Sequence, residues 1–180
     1  MKGHFVCTGI LLASTAVFAQ QKPMASPPEK EIATIHGKTI SITYNSPRVN
    51  GRAGHIFTKD GLISHDPHYP VWRAGANPAT TLHTDADLKI GDINVPAGTY
   101  TVFVDISDPA QWVFIVSKAT GEWGLAYDGS KDLGRTKMMT SMPSGLVEDL
   151  KYTITDDGGG KGTLTLAWEH MRASVPFWVH

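Results

Sequence analysis

The chain has 180 residues, with 16 basic and 17 acidic side chains, a formal net charge of −1 and a single cysteine. A chain of this length can form one domain with a substantial hydrophobic core. Proteins that bind nucleic acids or anionic membranes usually carry an excess or a stripe of basic residues, and this sequence has neither. We therefore expect one domain that binds neither nucleic acid nor an anionic membrane surface.

Residues 1–19 have the three parts of a secretory signal peptide: the basic Lys2, an apolar run and the small residue Ala19. The apolar run is shorter than the roughly 20 residues that a membrane span needs. We predict cleavage between Ala19 and Gln20, and export of a soluble, periplasmic or secreted product that is not stably inserted in the membrane. Cleavage would remove Lys2 and Cys7, which leaves no cysteine for disulfides, metal binding or nucleophilic catalysis and a net charge of about −2.

Residues 20–30 contain three prolines and almost no side chain to bury, which is typical of an extended tether. From Glu31 onward, apolar residues recur at every second position in several segments, and this period predicts half-buried strands. The alternating segments are 39–44, 100–104, 152–154, 164–168 and 175–179. A continuous apolar run at 112–116 predicts a central strand that is buried on both faces. Residues 31–180 are therefore predicted to form a single all-β domain.

Turn residues separate the predicted strands, and connections this short join antiparallel neighbours. The pattern predicts an antiparallel β-sandwich, with a jelly-roll-like topology or the form of a flattened barrel. Residues 45–70 are the exception, because this segment is long, weakly periodic and rich in glycine, proline and histidine. Loops of that length are often functional.

Two motifs after the tether are distinctive in combination: Trp-Arg-Ala-Gly-Ala-Asn at 72–77 and Pro-Ala-Gly-Thr-Tyr at 96–100. Further short motifs stand at 79–81, 123–124, 132–135 and 173–177. Together they resemble the domain of unknown function 2911 family. The resemblance implies an exported bacterial envelope protein with a β-rich fold, and it implies no settled activity. The sequence departs from the family pattern at 54–69, where histidines replace aliphatic residues, so this loop is expected to be particular to a subgroup.

A first candidate binding loop holds Trp72, Arg73 and Asn77 around Gly75. Arginine offers a rigid fork of five donors for carboxylate, phosphate or sugar hydroxyls, and asparagine offers both donors and an acceptor. The indole of Trp72 could supply a stacking wall. Alternatively, Trp72 belongs to the core, and Arg73 and Asn77 satisfy carbonyl groups of the loop.

A second candidate loop follows the predicted central strand and carries Trp123, Tyr127, Asp132 and Arg135. Aromatic rings beside acids and an arginine are typical of grooves for carbohydrates or peptides. Alternatively, Asp132 and Arg135 form a surface ion pair and the aromatic rings cover the sandwich. If the two loops lie together, they form one composite site.

The third candidate is a metal site, because His55, His65 and His68, with an acid such as Asp66, could supply the three or four ligands that zinc or another divalent transition metal needs. No metalloprotease or deaminase motif accompanies them, so solvated loop histidines are the alternative. The sequence also lacks a Gly-x-Ser-x-Gly motif and a phosphate-binding loop.

Our main hypothesis is a non-catalytic envelope domain without a cofactor, which binds a glycan, a peptide or a protein partner through the two loops. The first alternative is a metal-assisted hydrolase that uses the loop histidines. The second is a structural component of an envelope complex.

Overall fold

The computed structural model describes residues 24–121 and 123–180, so the predicted signal peptide and the first residues of the tether lie outside the described residues. The strands are β1 Pro28–Ile35, β2 Lys38–Asn45, β3 Val71–Trp72, β4 Thr81–Thr84, β5 Leu88–Ile90, β6 Ile93–Val95, β7 Gly98–Asp105, β8 Val113–Ser117, β9 Asp132–Lys137, β10 Met139–Ser141, β11 Val147–Gly158, β12 Lys161–Glu169 and β13 Met171–Val179. Helical structure in this part of the chain is limited to 3₁₀ turns at Ile63–His65 and Gly129–Lys131. Within residues 24–121 and 123–180, we find no helix with the length and apolarity that a membrane crossing requires.

The strands form two antiparallel sheets, which confirms the predicted all-β sandwich. The first sheet has the order β1-β2-β4-β7-β8-β9, with β3 also paired to β7. The second has the order β11-β12-β13-β5-β6, with β10 also paired to β13. The predicted central strand at 112–116 corresponds to β8, which lies between β7 and β9 and is buried along most of its length.

Strand β1 begins at Pro28, three residues before the predicted domain boundary at Glu31. It pairs with β2 from Pro28 opposite Asn45 to Ile35 opposite Lys38, so the end of the predicted tether is part of the sheet. The sequence pattern missed this start because an edge strand is held by backbone hydrogen bonds and needs few buried side chains. An edge strand also tolerates a proline at its first position.

The hydrophobic core lies between the sheets and is filled by alternating side chains from both. Ile42, Val102 and Phe114 come from the first sheet, while Leu164 and Val175 come from the second, and all five are buried. The side chains between them on β7 and β8 point to the outer face of the first sheet. There Phe103 stands opposite Ile115, and both are buried although they lie outside the core cluster. The outer face of this sheet is therefore covered as well.

The long segment 45–70 is a folded cap on the core, although its sequence is weakly periodic. Val49, Ile56 and Ile63 are buried in it. Phe57 packs against three tryptophan rings, with centroid distances of 4.9 to 5.8 Å, namely those of Trp72, Trp112 and Trp168. The cap is also tied to the second sheet, because the carboxylate of Glu169 accepts a hydrogen bond from the backbone N–H of Gly54.

Candidate functional site

The loop at 73–80, which we call the Arg73 loop, is fixed from the core side by hydrogen bonds to its backbone. Ala74 has a φ of 51°, and its carbonyl accepts hydrogen bonds from the hydroxyls of Tyr152 at 2.8 Å and Thr80 at 3.2 Å. The indole N–H of Trp72 donates to the carbonyl of Gly75 at 3.3 Å. The ring of Trp72 is only 1% exposed, so Trp72 belongs to the core, which is the alternative raised above.

Only one of the side-chain donors of Arg73 makes a hydrogen bond within the loop. Its Nη1 donates to the carbonyl of Asn77 at 3.1 Å, so it does satisfy a loop carbonyl. Its Nε is buried and has no hydrogen-bond partner among the residues that the structure describes. Desolvation by burial lowers the pKa of Arg73, and the nearby carboxylate of Asp66 opposes that shift. Arg73 therefore carries a desolvated donor whose hydrogen bond is not made within the described residues.

The structure brings the two candidate loops together. The connection at 118–131, which we call the β8–β9 connection, pairs Trp123 with Pro78 in an isolated bridge. A Cβ added to Gly124 would lie 2.5 Å from Cδ of Arg73 and 2.7 Å from the carbonyl oxygen of Asn77. The absence of a side chain at Gly124 thus allows the connection to approach the Arg73 loop closely. Trp123 itself is 56% exposed.

A cavity of about 280 Å³ lies between the Arg73 loop, the cap and the β8–β9 connection. Much of its wall is apolar and includes Leu62, Ile63, Leu125 and Trp168. Its ionisable side chains are His65, Asp66 and Arg73. Binding sites for small molecules are typically concave and mostly apolar, with a few placed polar groups. The cavity has that composition.

Asp132 and Arg135 lie on the outer face of the first sheet, beside the cavity loops. Residues three apart on a regular strand point to opposite faces. In the β8–β9 pairing, however, Val116 pairs with Gly134 and Ser117 with Asp132, so β9 has a bulge that places Asp132 and Arg135 on one face. Nε of Arg135 donates to the Asp132 carboxylate at 2.9 Å, and the Arg135 guanidinium lies 3.9 Å from the carboxylate of Asp105. This is the surface ion pair that we considered as the alternative.

Tyr127 completes this cluster. Its hydroxyl donates to Asp132 at 2.8 Å and also accepts a hydrogen bond from Arg135. Its ring packs on Phe103 with a centroid distance of 4.8 Å and on His68 at 5.8 Å. Burial, reinforced by the Asp132 carboxylate, raises the pKa of Tyr127 to about 12. The cluster therefore covers the outer face of the sheet and holds the β8–β9 connection in place.

The structure gives no support to the alternative of a metal site formed by His55, His65 and His68. Among residues 24–121 and 123–180, no group of three His, Cys, Asp or Glu side chains is placed to hold a metal ion. His55 donates its backbone N–H to the carbonyl of Arg52 at 2.9 Å, and the ring of His68 packs against that of Tyr127 with a centroid distance of 5.8 Å. His65 lines the cavity.

One hydroxyl–imidazole–carboxylate arrangement lies away from the cavity, on β4 and β7. Nδ1 of His83 is 2.9 Å from the hydroxyl of Thr99, and its Nε2 is 3.0 Å from the carboxylate of Asp85. The side chains of His83 and Asp85 are 46% and 50% exposed, so water competes for these hydrogen bonds. The arrangement links neighbouring strands at the surface.

Sequence reasoning missed several cavity residues, among them Leu62, Leu125 and Trp168. Leu62 and Leu125 lie in segments without periodicity, and Trp168 was predicted only as a strand residue. Their proximity depends on how the cap and the β8–β9 connection fold over the sandwich, and no local sequence signal indicates it.

The model of the family described as "Protein of unknown function (DUF2911)" matches residues 26–177. The match includes the Arg73 loop, the β8–β9 connection and the cap, and it confirms the resemblance seen in the motifs. No curated protein and no solved structure matches the chain. The chain therefore belongs to the DUF2911 family.

Proposed function

We propose that this protein is an exported, non-catalytic domain that binds a ligand in the cavity beside Arg73. The observation that carries the proposal is the buried Nε of Arg73, which has no hydrogen-bond partner in the described part of the chain. A buried donor without an acceptor costs about 1 to 3 kcal/mol. Arg73 lines the cavity, so a small shift of its side chain would let an acceptor group on a ligand reach Nε and remove that cost, and the protein would gain stability when the cavity is filled.

The hydrogen bonds that fix the backbone around the site support binding without rearrangement of the loops. The Tyr152 and Thr80 hydroxyls fix the backbone next to Arg73 from inside the core. On the opposite wall, the hydrogen bonds of Asp132 and Arg135 hold Tyr127, which is two residues after the cavity residue Leu125. A site that is already formed loses little conformational entropy on binding, which favours affinity. The ligands that we consider are a glycan, a peptide or a segment of a protein partner.

Export is part of the same proposal and is supported by the sequence of residues 1–19. Expression with cell fractionation, followed by intact mass measurement, tests it. The expected product lacks residues 1–19 and begins at Gln20. A protein that keeps Met1–Ala19 and stays in the cytoplasmic fraction would contradict export without affecting the proposed cavity.

Binding is tested by isothermal titration of the purified protein against envelope glycans and peptides. The expected result is saturable binding by at least one class, weakened at least tenfold by Arg73→Ala. The matched control is Arg172→Ala, because Arg172 is exposed on the second sheet. Saturable binding that Arg73→Ala leaves unchanged would place the ligand elsewhere. Co-purification of a stable protein complex without any soluble ligand would favour a structural role.

A further inference from the structure

We propose that the ligand group in the cavity is a small monocarboxylate with a compact apolar body, bound with its carboxylate on Arg73. This inference rests on the proposed function, and it adds the chemical class of the ligand. Three properties of the cavity carry it: the guanidinium of Arg73, the balance of charge, and the apolar wall.

The guanidinium of Arg73 favours an anionic acceptor, because it lines the cavity and makes only one hydrogen bond within the described residues. One corner of the guanidinium is engaged, because Nη1 donates to the carbonyl of Asn77. The buried Nε–H has no partner among the described residues. Hydrogen bonds between a guanidinium and a carboxylate are roughly twice as strong as those between neutral groups. Burial makes the difference larger, since water competes less for the donor.

The charges of the cavity limit the ligand to a single negative charge, because Arg73 attracts an anion while Asp66 repels it. Asp66 also lines the cavity, but it makes no ion pair with Arg73 within 4.0 Å in the part of the chain described here. One oxygen of its carboxylate accepts the backbone N–H of His68 at 3.1 Å, which fixes this side chain to the cap. A ligand with two or more negative charges would be repelled by Asp66. A monocarboxylate can pair with Arg73 at a smaller electrostatic cost.

The wall of the cavity favours an apolar body over a sugar. The apolar part of the wall includes Leu62, Leu125 and Trp168. The only hydrogen-bonding group on these three side chains is the indole N–H of Trp168. That N–H already donates to the carbonyl of Glu148 at 3.3 Å. The hydroxyls of a sugar would lose their bonds to water against this wall, and each unsatisfied hydroxyl costs free energy. An aliphatic or aromatic group instead gains from burial.

The volume of the cavity, about 280 Å³, limits how much of a ligand can be enclosed. It is close to the lower end of the size range of small-molecule sites, roughly 300 to 1,000 Å³. A compact acid can be enclosed, while a longer molecule must extend into solvent. The same chemistry is offered by a free acid and by the last residue of a peptide that ends in an apolar side chain. The experiment has one arm for each source.

The first arm compares 3-phenylpropionate with 3-phenylpropionamide, and the second compares the dipeptide N-acetyl-Ala-Phe with its C-terminal amide. Affinity is measured by isothermal titration and by the fluorescence of the tryptophans. Each acid is expected to bind at least tenfold more tightly than its amide. Arg73→Gln should remove that preference, and Arg172→Gln should retain it. Tighter binding of the dipeptide acid than of 3-phenylpropionate would identify a peptide terminus as the source.

Leu125→Trp is a second variant that narrows the cavity and leaves Arg73 in place. It is expected to weaken the binding of both acids at least tenfold, and urea unfolding of each variant verifies that it is folded. If the acid and the amide bind equally, and Leu125→Trp weakens both, the carboxylate inference is wrong and the proposed cavity stands. If no acid, amide, glycan or peptide is affected by Leu125→Trp or Arg73→Gln, the proposed function itself fails.

Discussion

The contact between the two loops makes a specific prediction for Gly124. In Gly124→Ala, the new methyl group would lie 2.7 Å from the carbonyl oxygen of Asn77 and 2.5 Å from Cδ of Arg73. Ordinary contacts begin near 3.4 Å, and the Asn77 oxygen belongs to the backbone, so the loops must separate by more than half an ångström. Inserting a methyl group into a packed site of this kind typically costs about 1 to 3 kcal/mol. We expect Gly124→Ala to lower the free energy of unfolding by that amount.

Urea unfolding followed by tryptophan fluorescence measures this change, because a shift of the midpoint at constant slope reports stability alone. The matched control is Gly145→Ala. Gly145 is exposed, and a Cβ there would meet no atom within 4 Å. The control should be neutral or slightly stabilising, since alanine reduces the entropy of the unfolded chain. If Gly124→Ala is as stable as Gly145→Ala, the two loops are not in the contact described above.

Three further variants test the supports of the site. Tyr152→Phe should lower the free energy of unfolding by about 1 kcal/mol, because the carbonyl of Ala74 loses its 2.8 Å bond but keeps a second donor; thermal or urea unfolding measures it. Phe57→Leu should destabilise by about 1 to 2 kcal/mol through the loss of its ring contacts with three indoles, two edge-on and one tilted, and a thermal shift below 1 °C would contradict those contacts. Tyr127→Phe should be less stable than the wild type by about 1 kcal/mol at pH 8, after allowing for partial exposure, because the hydroxyl donates to Asp132. The pKa of Tyr127 is raised in the folded state to about 12, first by burial and then by the Asp132 carboxylate, so this advantage of the wild type is complete below about pH 10 and is lost as the pH rises through about 12; a stability difference that stays constant over this range would contradict the raised pKa.

Local patterns in the sequence were sufficient to predict the sandwich. Alternation at 39–44, 100–104 and 164–168 predicts strands, and the structure has β2, β7 and β12 there. The glycine-rich run at 156–160 predicts a hairpin turn, and β11 and β12 meet there. Such patterns work because the period of two and the turn residues are properties of neighbouring positions.

The site was only partly predictable, because it depends on long-range contacts. Arg73 and Arg135 were recognised from their chemistry, but their different surroundings arise from the fold. The bulge in the β8–β9 pairing brings Asp132 and Arg135 to one face, and Gly124 lets Leu125 approach the cavity. Neither effect leaves a periodic signal.

The histidines show a further limit of local patterns. Close spacing suggested that His65 and His68 could act together, but spacing in a loop does not determine where side chains point. The cap is shaped by buried groups such as Ile56 and Ile63, and the histidines take the positions that this packing leaves to them.

The most direct test of the central claim is an NMR titration that follows the indole N–H signals, since Trp72 and Trp168 line the cavity. Trp178 is the internal control, because it pairs with Lys161 at the other end of the β12–β13 hairpin. Titration with 3-phenylpropionate should shift the signals of Trp72 and Trp168 in a saturable way and leave Trp178 unchanged. If saturable binding shifts only Trp178, or leaves both cavity tryptophans unmoved, ligand binding at the Arg73 cavity is contradicted.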